Sequence, residues 1–373
     1  MEKNLIILMI DGGRLDRALK SHILNEIKEK SIFLSQSITY APHTIAAMHA
    51  VFSGCYGTKT GTNSYWSTYN FQKNKFKTIT EYLHDVGYYT CADVVSKLTI
   101  PEQGFDEINI HDELNDDLLV RHINFLRKIK EKNDNGKKSF LYLQYSNIHT
   151  GIMEQVLKVY NNFSEEFFNN IKQNNDRYDL LFNNAEKYLK NMLEEISELK
   201  LDEKSIIVIM SDHGISVGEK IGERAYGAFC YDYTLRTFTY LLGSDFPSKE
   251  IQQQVRTIDI MPTILEILKI PLDTTYEKLD GISLIPLIQG EKIQERTAFS
   301  ETGNPQKEKA PPKKPNVKSI RTSKWKLIWN EYNNTKELYN LQNDSKEEDN
   351  LIGKQLEEEN RLWAELKNVE GII

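Results

Sequence analysis

Hydrophobic positions along the chain fall into two alternating patterns, short unbroken runs and longer segments with apolar residues three and four apart. "NLIILMI" (4–10) is apolar at nearly every position, the pattern of a strand covered on both faces as in a parallel sheet. Similar runs at 88–94 ("YYTCADV"), 139–146 ("SFLYLQYS"), 205–212 ("SIIVIMSD") and 238–243 ("FTYLLG") predict four more strands. Between them the spacing predicts helices, the clearest over 163–199, and another over 259–270 ("DIMPTILEILKI") with its proline in the first turn. Strands that alternate with helices predict an α/β fold, a large and mostly parallel central sheet flanked by helices.

The pattern changes near residue 300. "SETGNPQKEKAPPKKPNVKS" (300–319) is polar and proline-rich and reads as a long loop. After it, "SIRTSKWKLIWNEYNNTKELYNLQND" alternates apolar and polar residues across an asparagine turn, which predicts a hairpin of a small antiparallel sheet. "LEEENRLWAELKNV" closes the chain as a helix. The expected organisation is a catalytic α/β domain over 1–299 and a small C-terminal subdomain over 300–373. No internal repeat is visible.

Composition narrows the class. The 373 residues are 39% hydrophobic and 27% charged, as in an ordinary globular protein, and no run approaches the ~20 apolar residues of a membrane span. A net charge of −7 argues against a dedicated nucleic-acid surface. Cys55, Cys91 and Cys230 are too few and too scattered for a disulfide framework or a thiolate metal site. The start, "MEKNLIILMIDGG", reads as a first strand and not as a secretion signal, so a cytoplasmic protein is expected.

In an open α/β sheet the chemistry collects just beyond the carboxyl ends of the strands. Asp11 follows the first strand, His149 the "YLQYSN" strand, and Asp212 with His213 the "SIIVIM" strand. A lone aspartate there is commonly a turn or cap residue. An Asp-His pair before Gly214, together with Asp11, has a different reading, because buried carboxylates need a partner and a cation supplies one. Thr44 opens a short amphipathic helix, "TIAAMHAVFS" (44–53), closed by Gly54. It has two readings: a helix cap, or a nucleophile whose hydroxyl binds a divalent cation at a helix start that faces an anionic substrate. His43 flanks it and can line the pocket; His49 sits within the helix and reads as structural.

The ordered set of motifs resembles the sulfatase branch of the alkaline phosphatase superfamily. The resemblance rests on "LMIDGGRLD", "APHTIAAMHAVFSGCYG", "GYYTCADVVSKLTIPEQGFDEI", "SNIHTG", "MSDHGISVGE", "TIDIMPTILEILKIP", "LDGISLIPLIQGE" and the C-terminal "KWKLIWN" with "ELYNLQNDSKEEDNLI". It implies a sulfatase-like fold, one divalent metal ion (Mn, Mg, Ca or Zn) bound by Asp11, Asp212 and His213, and Thr44 at the nucleophile position, itself on the metal. It further implies that Lys97 contacts ester oxygens and that His149 contacts the substrate or protonates its leaving group.

The departures bear on the reaction. Sulfatases place at the nucleophile a cysteine or serine that is oxidised to formylglycine; threonine, a secondary alcohol, cannot supply that aldehyde. Met48 stands in place of the supporting arginine, Thr99 in place of a histidine, and Gly12 in place of a second acidic ligand. The leading expectation is therefore a metal-dependent hydrolase or transferase of phosphate esters, diesters or phosphonates, working through Thr44. The anionic substrate could be a glycan or a lipid head group. Sulfuric ester hydrolysis and a non-catalytic binding protein on the same fold are the alternatives.

Overall fold

In this computed structural model the described residues are 3–157, 165–223, 225–305 and 310–369. Thirteen strands are formed among them, and they group into two sheets. The larger contains β1 (Asn4–Ile10), β2 (Ile32–Ile38), β3 (Tyr89–Val94), β4 (Glu107–Ile110), β5 (Ser139–Tyr145), β6 (Ser205–Ser211), β7 (Arg236–Leu242), β8 (Lys249–Ile251) and β9 (Val255–Arg256). Its order is β4-β3-β5-β1-β6-β7-β2-β8, with β9 also on β2. The pairs from β4 through β6 are parallel, whereas β7 runs antiparallel to both β6 and β2. The sheet is thus mostly parallel, as expected, and the strand over the 238–243 run is its reversed member.

The unbroken apolar character of β1 follows from its place at the centre. Ile6, Leu8 and Ile10 enter one core, with the helices Leu118–Asp134 and Ile171–Glu198. Leu5, Ile7 and Met9 enter the other, with the helices Thr44–Ser53, Ile79–Asp85 and Ile260–Ile267. Alternate side chains of one strand serve opposite faces, so neither face tolerates a polar residue. The expected helix over 163–199 is divided into Glu165–Asn169 and Ile171–Glu198, and residues 163 and 164 lie outside the described residues.

The 300–319 segment is shorter as a loop than its composition suggests. Its ends belong to β10 (Ala298–Thr302) and β11 (Val317–Arg321), and residues 306–309 lie outside the described residues. β12 (Trp325–Asn330) and β13 (Thr335–Asn340) complete an antiparallel sheet of four strands in the order β10-β11-β12-β13. The closing helix Leu356–Val369 buries Leu362 and Leu366 against Phe299, Ile320, Leu327 and Leu338, and the same core includes Tyr40, Ala46 and Ala50. The helix Thr44–Ser53 therefore packs against both sheets. A buried ion cluster adds to the join: Asp232 accepts from Arg321 at 2.8 Å and from Lys326 at 2.9 Å, and Lys326 also meets Glu347 at 2.8 Å. No helix among the described residues is long and apolar enough to cross a membrane.

Candidate active site

Parallel neighbours end at the same level of a sheet, and this brings the site together. Ile10 of β1 is in register with Tyr145 of β5 on one side and Ser211 of β6 on the other. The next residues, Asp11 and Asp212, therefore leave adjacent strand ends side by side. Gly12 holds a left-handed φ of +74°, which lets the chain turn away at once and aims its amide at Asp212 Oδ1, 3.1 Å away. The His213 amide donates to the same oxygen at 2.9 Å.

The Nδ1 of His213 lies 2.8 Å from the Gly214 carbonyl, which can only accept, so Nδ1 carries a hydrogen and Nε2 is the ring nitrogen turned toward the carboxylates. Nε2 lies 3.4 Å from Asp212 Oδ2, 3.7 Å from Asp11 Oδ1 and 3.4 Å from Thr44 Oγ1. The Thr44 hydroxyl is also 3.4 Å from Asp11 Oδ2. The four residues expected around a cation thus meet at one point.

A cation fits this donor set. Asp11, Asp212 and His213 are buried and offer ligand atoms within 4.8 Å of one another. Asp11 Oδ1 and Asp212 Oδ2 are buried oxygens with no hydrogen-bond partner among the described residues. Burial, and then the negative charge of Asp11, pushes the Asp212 carboxyl up to about 6. Two carboxylates packed together without a donor between them are unfavourable unless a positive ion joins them.

Thr44 is the first residue of its helix and not its cap. His43 takes the cap position, with φ −158° and ψ 146°, and its Nδ1 accepts from the Ala46 amide at 3.5 Å. The threonine hydroxyl is thereby left to face the carboxylates. Gly54, at φ +64°, ends the helix, and its carbonyl accepts from the amides of Asp280 at 3.1 Å and Gly281 at 2.9 Å. This latch accounts for the "LDG" motif. Met48 is fully buried with Val51 and Phe52, so the position where sulfatases have an arginine is a packing position in this chain.

Both histidines, His43 before the helix and His49 within it, are neutral. Burial lowers His43 to about 3, helped by His213, and His43 stacks on Tyr65 with ring centroids 4.4 Å apart. Burial likewise lowers His49 to about 4; its Nδ1 donates to the Ile45 carbonyl at 2.8 Å and its ring meets Phe71, as suits a structural histidine.

His149 stands at the rim of the site on the short helix Asn147–Gly151. Its Nε2 is 2.6 Å from the Tyr226 hydroxyl, and its Nδ1 is 3.3 Å from Glu113 Oε2. Burial opposes its charge, but the hydrogen bond to Glu113 and the charges of Asp11, Glu113 and Asp212 prevail and raise it. Tyr226 stacks on His213 with centroids 4.8 Å apart and pairs with the Tyr65 hydroxyl. Lys97 is exposed on the turn Lys97–Thr99, which packs on the helix Thr44–Ser53, and its ammonium has no polar partner among the described residues. It is not part of the four-residue cluster.

Three participants escaped the sequence reading. Gln144, inside β5, donates from Nε2 to Asp11 Oδ2 at 2.8 Å and accepts from the Val95 amide at 3.2 Å, tying the aspartate to the lysine turn. Tyr226 and Glu113 are the other two. Gln144 alone left a signal, as the one amide in an otherwise apolar run.

A second buried group, Asp93, His111 and His122, also has ligand-like spacing. Asp93 Oδ2 lies 3.1 Å from His111 Nδ1 and 3.0 Å from His122 Nε2, and Arg121 meets both carboxylate oxygens from Nε at 2.9 and 3.0 Å. Arg121 already supplies the positive charge there. We read this group as a hydrogen-bonded brace.

The sulfatase family model matches residues 3–270, and the model described as N-sulphoglucosamine sulphohydrolase, C-terminal, matches residues 228–370. The chain belongs to the sulfatase family. Among solved structures it is similar to a protein bound to its substrate D-glucosamine-2-N,6-O-disulfate, with 16% identity and a TM-score of 0.76, covering 100% of this chain and 98% of the other. It is similar to a 2-O GAG sulfatase at 17% identity and TM-score 0.77, covering 100% and 93%. It is also similar to the phosphonate monoester hydrolase of Agrobacterium radiobacter at 12% identity and TM-score 0.76, covering 99% and 96%. No curated protein matches the sequence. At these identities the likenesses establish the fold, which is the one expected.

Proposed function

We propose that this sulfatase-family hydrolase acts on phosphate esters, diesters or phosphonates, with Thr44 as nucleophile and one divalent cation held by Asp11, Asp212, His213 and Thr44. The observation that carries the reading is the Thr44 hydroxyl, freed from capping by His43 and placed 3.4 Å from both Asp11 Oδ2 and His213 Nε2. When bound, the cation supplies positive charge that favours the ionised hydroxyl and offsets charge on the ester oxygens.

The chain's own groups divide the remaining tasks. Thr44 donates its hydrogen toward Asp11 Oδ2 and attacks phosphorus, and the amino end of its helix faces the anionic ester. His149 Nε2 gives its proton to the leaving oxygen as the phosphorus–oxygen bond breaks and that oxygen keeps the electron pair. Lys97, exposed and unengaged, contributes charge to the ester oxygens. Water, or an acceptor alcohol, then cleaves the phosphothreonine while His149 takes back a proton.

Phosphorus is favoured over sulfur by the nucleophile. A formylglycine hydrate expels sulfate through its second hydroxyl, which threonine lacks, whereas in-line attack of water on a phosphothreonine needs no such group. The phosphonate hydrolase among the similar structures is consistent with this fold hosting phosphorus chemistry. Purified protein assayed with matched nitrophenyl phosphodiester, phenylphosphonate and sulfate, with and without chelator, tests the reading. Cation-dependent turnover of a phosphorus ester with little of the sulfate is expected. A preference for the sulfate would favour sulfuric ester hydrolysis, and cation binding without turnover of any ester would favour a binding protein.

A further inference from the structure

We infer that Glu113 is a positioning residue that acts through His149, and that a brace centred on Asp93 holds it in place. The inference rests on the reading of His149 as the acid that protonates the leaving group.

Glu113 has no place in the nucleophile or cation cluster, yet its carboxylate is directed at the acid. Its Oε2 lies 3.3 Å from His149 Nδ1 and 3.1 Å from the Thr150 hydroxyl, so one oxygen meets two successive residues of the short helix. A carboxylate can only accept, so Nδ1 carries a hydrogen and Nε2 is the nitrogen presented to the site. Nε2 faces the Tyr226 hydroxyl, 2.6 Å away, on the ring that stacks on His213.

Glu113 is on a loop, and a loop residue positions nothing unless it is itself held. Two residues earlier, His111 is fully enclosed between two strand ends. Its Nδ1 is 3.1 Å from Asp93 Oδ2 at the end of β3, and its Nε2 is 2.9 Å from the Ser146 hydroxyl just after β5. Ser146 precedes the helix of His149, and its carbonyl accepts from the Thr150 amide at 3.1 Å. Both ends of the Glu113–His149 contact are therefore fastened to one anchor. On its other side Asp93 is held by Arg121 and by His122, whose Nδ1 is 2.6 Å from the Tyr188 hydroxyl. A hydrogen-bonded network whose centre, Asp93 with His111 and His122, is fully buried is rigid, which a positioning device requires.

Leaving groups of different basicity distinguish this role from simple packing. Glu113 is about one-third exposed, so Glu113→Gln should fold with an unchanged melting temperature. With alkyl or phenyl leaving groups, kcat of Glu113→Gln should fall by about 10- to 100-fold with KM little changed, because those oxygens depart poorly without a proton. With 4-nitrophenyl esters the loss should stay below about 3-fold. Glu113→Asp should recover part of the loss, and in a His149→Ala background Glu113→Gln should cause no further fall. Equal losses across leaving groups, or a full additional loss in the His149→Ala background, would overturn the inference while the proposed function stands. Wild-type protein that turns over neither ester series overturns that function and this inference with it.

Discussion

The hydroxyl of Thr44 and Nε2 of His213 lie 3.4 Å apart although 169 positions separate them in the chain. The contact exists because β1 and β6 are parallel neighbours and because His43, not Thr44, caps the helix Thr44–Ser53. A threonine that neither caps nor packs contributes little to stability. Thr44→Ala should therefore abolish turnover while shifting unfolding free energy by less than about 1 kcal/mol, read from paired kinetics and denaturant melts. Near-normal activity in this variant would mean that water attacks directly.

Removing the cation should have a structural signature besides lost activity. Asp11 and Asp212 each present a buried oxygen that no hydrogen bond among the described residues satisfies, so a bound ion would stabilise the folded state selectively. Chelation should lower the melting temperature, and divalent ion should restore it. In Asp212→Asn the like-charge contact disappears. That variant should melt above the chelated wild type and respond weakly to added ion.

How far the sequence foretells this site depends on what each residue needed. Asp11, Asp212 and His213 are legible because each follows an unbroken apolar run, and Thr44 because Gly54 marks the end of its helix. Glu113 and Gln144 matter only through strand order: β5 lies between β3 and β1, and no local pattern records that adjacency. β2 went unread for a related reason. "IFLSQSI" has three polar residues in its second half, and the buried Ser35 donates to the Ile251 carbonyl at 3.2 Å across the sheet. The reversal of β7 is likewise a property of its neighbours.

Gly12 occupies the position of the second acid in the family motif, and its surroundings argue that the acid cannot simply be put back. A Cβ there would lie 2.9 Å from the buried Ile215 side chain, and φ is +74°. Gly12→Asp should destabilise the protein by roughly 1–3 kcal/mol without tightening cation binding, measured by melts with and without divalent ion. A gain in affinity at unchanged stability would show that the pocket can open.

Glu223 gives a pH-dependent prediction. Its carboxylate accepts from the amides of Ala228 at 2.9 Å and Phe229 at 3.1 Å and from the Tyr233 hydroxyl at 2.7 Å, closing the loop that carries Tyr226. Burial pushes this group up to about 7, above its ordinary 4.5. The folded state thus holds the proton more tightly than the unfolded chain. Its contribution to stability is complete below about pH 4.5 and is lost as pH rises through about 7. Wild type should lose melting temperature between about pH 4.5 and 7, and Glu223→Gln should lose less. Parallel curves for the two proteins would assign the slope elsewhere.

Gln144 tests whether the cation site is supported from behind. Its amide nitrogen fills one oxygen of Asp11, and its carbonyl oxygen takes the Val95 amide and the Thr99 hydroxyl, at 3.2 and 3.4 Å. Gln144→Leu keeps the volume and removes all three bonds. Asp11 loses a donor that orients it, and the part-buried Val95 amide loses its partner. Groups that orient a ligating carboxylate typically change metal affinity by about 10- to 100-fold. Gln144→Leu should therefore need 10- to 100-fold more divalent ion for half-maximal activity while approaching wild-type kcat at saturation. Gln144→Glu should behave oppositely: a third carboxylate beside Asp11 destabilises the metal-free protein and enlarges the melting shift on adding ion. If Gln144→Leu instead lowers kcat at saturating ion with the half-maximal concentration unchanged, Gln144 serves the lysine turn and not the cation.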